Sequence, residues 1–113
     1  MKSKILALSK SEDFKKLLKN KKISNKYTTI FYGNLYNKDN KRLNISFITK
    51  KKLGNAVKRN KIKRRLRSIV NEAVKKISIK FDYSYLVIAK PTMLNNDYTN
   101  IKETLIKSFK KIK

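Results

Sequence analysis

A chain of 113 residues, 40% of them hydrophobic, has material for one buried core, so 1-113 is read as a single domain. Its 31 Lys and Arg outweigh 7 Asp and Glu, a formal charge of +24 that repels itself and favours a polyanionic partner. The absence of Cys and His excludes disulfides, thiolate or imidazole metal sites and imidazole catalysis, and one Pro with two Gly argues against a long flexible linker. A lysine-rich surface produced by compositional bias alone is the bland alternative. Such bias adds lysine, but it does not remove acids.

The N-terminus carries Lys2 and Lys4 and then only the short apolar stretch Ile5 to Leu8. That is too brief for the core of a signal peptide, and no run approaches the roughly 20 apolar residues of a membrane span. A cytoplasmic protein is expected. Residues 9–20 read as a first helix, with Ser9 and Glu12 at capping-box spacing and Phe14, Leu17 and Leu18 at helical intervals. The β-formers Tyr27 to Tyr32 mark a strand over 26–36. The turn-rich Asn37-Lys38-Asp39-Asn40 follows, then Leu43, Ile45 and Phe47 alternate with polar residues. A hairpin of these two strands is expected.

The strongest helical pattern covers 55–78. Ile62, Leu66, Ile69, Val70, Ala73 and Ile77 form one apolar stripe, Gly54 interrupts the preceding segment, and Asn55 is a candidate N-cap. The strand over 83–90 is apolar on both faces and closes at Pro91, as a central strand would. A last helix begins near Tyr98, with Ile101, Leu105, Phe109 and Ile112 on one face. The order is α-β-β-α-β-α, an α+β sheet flanked by helices, with one parallel pair from the strand-helix-strand segment 42–90.

The polar side of the long helix carries the functional signal. At 100° per residue, Asn60, Arg64, Arg67, Asn71 and Lys75 fall within about 80° of one another, opposite the apolar stripe. Lys61 and Lys63 flank them. A solvated face normally mixes signs, yet every charged residue from Lys50 to Arg67 is basic, and Glu72 is the first acid beyond. Arginine binds phosphate bidentately and Asn reaches phosphate, sugar or base edge, so this face suits nucleic acid. A basic helix can enter a DNA major groove, but no helix-turn-helix pattern precedes this one. The aromatics Phe14, Tyr27, Phe31, Tyr32, Tyr36 and Phe47 on the first helix and two strands suit stacking of single-stranded bases, although most must be core.

Residues 51–67, Lys-Lys-Leu-Gly-Asn-Ala-Val-Lys-Arg-Asn-Lys-Ile-Lys-Arg-Arg-Leu-Arg, resemble the signature of the bacterial ribonuclease P protein family. Ser-Glu-Asp-Phe at 11–14 and Leu86 to Pro91 resemble the family's opening helix and last strand. The resemblance implies a four-stranded sheet with three helices and a left-handed β-α-β crossover. It implies that Lys58, Arg59, Asn60, Lys61, Lys63, Arg64 and Arg67 bind a catalytic RNA subunit. It also implies that Phe14, Tyr32, Lys51, Lys52 and Lys90 line or rim a cleft for the 5′ leader of precursor tRNA. Three positions depart from the family pattern: Lys61 replaces the usual arginine, Leu18 a second aromatic and Lys50 a serine.

A protein-only nuclease needs an acid and a base, or carboxylates holding metal. Of the seven acids only Glu12 and Asp13 adjoin, where helix capping and the macrodipole explain them. No catalytic or metal-binding residue is therefore expected in the protein. The resemblance implies that the RNA subunit catalyses endonucleolytic cleavage, with Mg²⁺ bound mainly by RNA phosphates. The expected partners are ribonuclease P RNA and precursor tRNA, without a membrane or an obligatory protein partner. The rival function is a non-enzymatic RNA-binding protein such as a small ribosomal protein.

Overall fold

The computed structural model describes residues 5–6, 11–35, 43–95 and 97–112. Five strands appear in chain order: β1 Ile5–Leu6, β2 Lys21–Ser24, β3 Thr28–Gly33, β4 Leu43–Ile48 and β5 Ser84–Ala89. The helices are α1 Ser11–Leu18, α2 Ala56–Lys76 and α3 Tyr98–Lys111. Short 3-10 turns at Lys51–Leu53 and Pro91–Asn95 follow β4 and β5. The α+β class holds: four strands of the mixed sheet are substantial and β1 adds two residues at one edge.

The sheet order is β1-β4-β5-β3-β2. The segment β4-α2-β5 closes a parallel pair, Asn44 opposite Ser84 through Ile48 opposite Ile88, as the strand-helix-strand pattern led one to expect. The expected hairpin of the strands at 26–36 and 42–48 does not form. β5 lies between them, antiparallel to β3, with Thr28 opposite Ala89 and Gly33 opposite Ser84. The reason is hydrophobic. β5 buries Tyr85, Leu86 and Val87 on both of its faces and so takes the middle of the sheet, while β3's hairpin partner is β2. That hairpin turns at Asn25, whose side-chain oxygen accepts from the amides of Tyr27 and Thr28, both at 2.8 Å. The proposed turn at residues 37–40 and the Ser9 cap lie outside the described residues.

The two sheet faces have different covers. Alternation puts Ile30, Leu43, Ile45, Tyr85 and Val87 on one face, where α2 packs Ile62, Leu66, Ile69 and Val70 and α3 packs Ile101, Leu105 and Phe109. Each such buried side chain contributes roughly 1.5–3 kcal/mol. Burial pushes the Tyr85 phenol well above its usual range, and its hydroxyl donates to the Lys80 carbonyl at 2.8 Å. The other face packs Leu86, Phe31, Ile48 and Ile88 with Leu17 and Phe14 of α1 and with Leu35. The sheet thus has two helices on one side and the short α1 on the other.

Gly54 sets the path from β4 into α2. Its φ of 127° with ψ of −167° is a region that essentially only glycine occupies. An added Cβ would also lie 2.9 Å from Lys58 Cδ. Gly54→Ala is expected to cost about 1–3 kcal/mol in urea unfolding. An unchanged midpoint would show that the turn relaxes freely. Just beyond, Asn55 caps α2 by accepting from the Lys58 amide at 3.0 Å.

Candidate nucleic-acid interface

Helix α2 has the two faces that its periodicity demands. Its apolar stripe is buried on the sheet, while Lys58, Asn60, Lys61, Lys63, Arg64 and Arg67 are exposed. Among the described residues the side chains of Arg64 and Arg67 have no hydrogen-bond or ion-pair partner. The ion pairs in this region lie further along the helix, where Glu72 meets Lys102 of α3 at 3.1 Å and Lys76 at 3.6 Å. The Lys102 hydrogen bond holds the Glu72 carboxyl below its ordinary range, so the first acid after the basic run is already engaged. The outer face of α2 is thus a row of cations free to meet phosphate.

Arg59 stands apart from that row. Three residues before Ile62, it points toward the packed side of the helix and is half-buried. Its Nε is buried without a hydrogen-bond partner among the described residues. A guanidinium so placed presents only part of its donor set outward.

The leader residues expected from sequence are divided by the sheet. Phe14 of α1 packs against Leu17, Leu35 and Leu86, beside the half-buried Phe31, Ile48 and Ile88. Tyr32 is one residue beyond Phe31 and therefore projects to the opposite face. There it packs on the α2–α3 side, its ring centroid 5.7 Å from that of Tyr83. Phe14 and Tyr32 do not share a cleft. Phe31 is the β3 aromatic that accompanies Phe14, and strand register, which the chain order alone does not reveal, is what distinguishes them.

Only α1 lies over that face among the described elements, and it covers part of it. Ladder register places Thr29 beside Ser24 and Ile88, Phe31 beside Lys22 and Leu86, and Ile48 beside Ile88. Thr29, Phe31, Ile48 and Ile88 are half-buried, and Lys22 and Ser24 are exposed. The result is an apolar floor with one aromatic ring, open beside α1.

Lysines gather at one end of this floor. Lys90 follows β5, and its ammonium donates to Ser24 Oγ at 2.7 Å and to the Asn25 carbonyl at 2.6 Å. Three donor hydrogens on an ammonium leave one for an outside acceptor. Lys51 and Lys52 are exposed on the turn after β4, the parallel neighbour of β5, and so lie at the same end of the sheet. β2 was not legible in the sequence, because a lone Ile23 between Lys22 and Ser24 is a weak strand signal; a charged edge strand is nonetheless how sheets protect an edge.

Among the described residues no three of His, Cys, Asp and Glu come together to hold a metal ion. No helix among them is long and apolar enough to cross a membrane. The chemistry on offer is phosphate binding along α2 and base stacking beside α1.

Known proteins share this sequence pattern and this fold. The family model described as Ribonuclease P matches residues 3–113. The ribonuclease P protein component of Carboxydothermus hydrogenoformans is 33% identical over 110 residues, covering 94% of this chain and 90% of the relative. That of Bacillus pumilus is 34% identical over 105 residues, covering 92% and 85%. A solved structure of the Staphylococcus aureus RNase P protein superposes with a TM-score of 0.78 at 28% identity, covering 92% of each chain. The Thermotoga maritima RNase P protein shares the fold, with a TM-score of 0.80 at 24% identity over 96% of this chain and 98% of that one. The match of the family model to residues 3–113, together with relatives of 33% and 34% identity that cover most of the chain, places this chain in the ribonuclease P protein family.

Proposed function

We propose that this chain is the protein subunit of a ribonuclease P holoenzyme, assisting endonucleolytic removal of the 5′ leader from precursor tRNA. The outer face of α2 grips the catalytic RNA subunit through Lys58, Asn60, Lys61, Lys63, Arg64 and Arg67, with Arg59 contributing its exposed edge. The open floor beside α1 receives the single-stranded leader. Phe14 and Phe31 supply ring surface there, while Lys51, Lys52 and Lys90 hold leader phosphates. Tyr32 supports the floor from beneath.

One observation carries this reading: two surfaces of different chemistry lie on opposite sides of one small sheet. A convex row of unpaired cations suits a folded RNA backbone. A flat, half-apolar sheet face rimmed by lysines suits unpaired bases. A holoenzyme that must hold its own RNA and a flexible substrate segment needs both. The second function class, a small ribosomal protein, has no support in the likenesses found.

Catalysis belongs to the RNA subunit in this proposal. In the same proposal Mg²⁺ is held mainly by RNA phosphates; among the described residues no three of His, Cys, Asp and Glu come together to hold a metal ion. The protein's part is electrostatic and positional: +24 charges offset phosphate repulsion and fix the leader's direction.

Reconstitution tests the proposal. The chain, mixed with a bacterial ribonuclease P RNA, is expected to stimulate cleavage of precursor tRNA at the mature 5′ end, most strongly at low Mg²⁺. There the protein's cations replace screening that the metal otherwise supplies. Stimulation no greater than that from RNA alone would overturn it.

A further inference from the structure

A second concave feature lies on the α2–α3 side, away from the leader floor. Two hollows of about 300 and 350 Å³ adjoin along the flank of α2. Both are lined by Lys61 and Arg65, so they lie side by side along α2 and are treated together as one groove. Its opposite wall is the 3-10 turn Pro91–Asn95 and the start of α3, contributing Met93, Leu94 and Tyr98.

The groove is chemically divided. Its floor is apolar, with Ile62 and Met93 almost wholly buried. Leu94 at the rim is 39% exposed. The half-buried Tyr98 ring is held by its hydroxyl, 3.0 Å from Ser68 Oγ. Arg65 is half-buried, and its guanidinium has no hydrogen-bond or ion-pair partner among the described residues. Lys58, Lys61 and Arg64 add further positive charge, and no carboxylate lines either hollow.

We propose that this groove seats one unpaired nucleotide of the RNA subunit, its base against Leu94 and Tyr98 and its phosphate on Lys61 and Arg65. The inference rests on the function proposed above and goes beyond it. A double-helical backbone explains the cations but not an apolar floor. An apolar peptide explains the floor but not four cations without an acid. An extruded nucleotide has a π-face for one and a phosphate for the other. The RNA subunit, not the leader, is the occupant because Arg64 belongs both to this groove and to the outer row of α2. The leader floor lies across the sheet.

Because the chain contains no cysteine, Thr99→Cys, exposed on α3 beside Tyr98 and outside the lining of both hollows, provides a single attachment point for an azidophenacyl photocrosslinker. The labelled chain is reconstituted with ribonuclease P RNA and precursor tRNA, irradiated, and the adducts mapped by primer extension. One or two adjacent RNA-subunit nucleotides without Watson–Crick partners are expected to react. Arg65→Ala should restore chemical reactivity at those same nucleotides while the remaining footprint persists. Leu94→Glu, which alters only a partly exposed side chain, should weaken RNA-subunit binding roughly ten-fold, the size expected for losing one stacked base. Adducts confined to paired nucleotides or precursor tRNA, or none at all, with precursor cleavage still stimulated, would overturn the groove assignment alone. Loss of stimulation by the unmodified chain would instead overturn the proposed function and the groove with it.

Discussion

Replacing Arg64 and Arg67 together by alanine is expected to weaken ribonuclease P RNA binding by roughly 10- to 100-fold at physiological salt, and to reduce the slope of log affinity against log salt by about 2. The argument is local. Both side chains are exposed on the outer face of α2 and lack partners among the described residues, so their removal leaves the core intact. Alanine is also a strong helix former, so α2 itself gains rather than loses propensity. Each arginine that meets a phosphate displaces about one counterion, and a charge-assisted hydrogen bond contributes roughly 1.5–3 kcal/mol before salt screening. Filter binding across a salt series measures both quantities, with circular dichroism as the fold control. An unchanged slope would mean that this face remains in solvent.

Phe31→Ala and Tyr32→Ala should separate the two faces of the sheet. Phe31→Ala is expected to weaken binding of leader-bearing precursor about 5- to 150-fold, with mature tRNA little changed, since one base stacked on an aromatic contributes roughly 1–3 kcal/mol. Phe14→Ala should behave in the same direction because it packs in the same cluster. Tyr32→Ala removes the ring that meets Tyr83 across the other face. It should lower thermal stability and leave the preference for precursor over mature tRNA unchanged. The reverse pattern, with preference lost at Tyr32 and kept at Phe31, would move the leader to the helix-covered side.

The adjacency of Phe31 and Tyr32 also shows how far sequence reading reaches. The strand was legible from its β-formers, and α2 was legible nearly to its ends, from the Asn55 cap through the stripe ending near Ile77. β5 was identifiable as central because apolar residues on both faces can be desolvated only inside the sheet. Which neighbour it would take was not legible. Chain order favoured a hairpin of β3 with β4. Burial of β5 on both sides, and the Asn25 turn that gives β3 another partner, decided otherwise.

The basic run from Lys50 to Arg67 determined by itself that the chain meets a polyanion, because no acid interrupts it and helical period gathers its charges opposite the apolar stripe. The missing His and Cys likewise determined that no imidazole or thiolate takes part in this protein's chemistry. Tertiary structure decided what one-dimensional spacing does not encode. Strand register set which aromatic shares the face of α1, since a shift of one residue reverses sides. Packing turned Arg59 inward while its neighbours stayed exposed. Docking of the Pro91–Asn95 turn and α3 against α2 brought Arg65 and Tyr98, 33 residues apart, to one groove. Contacts at that separation depend on how whole elements bury their apolar faces, and local sequence carries only one side of each.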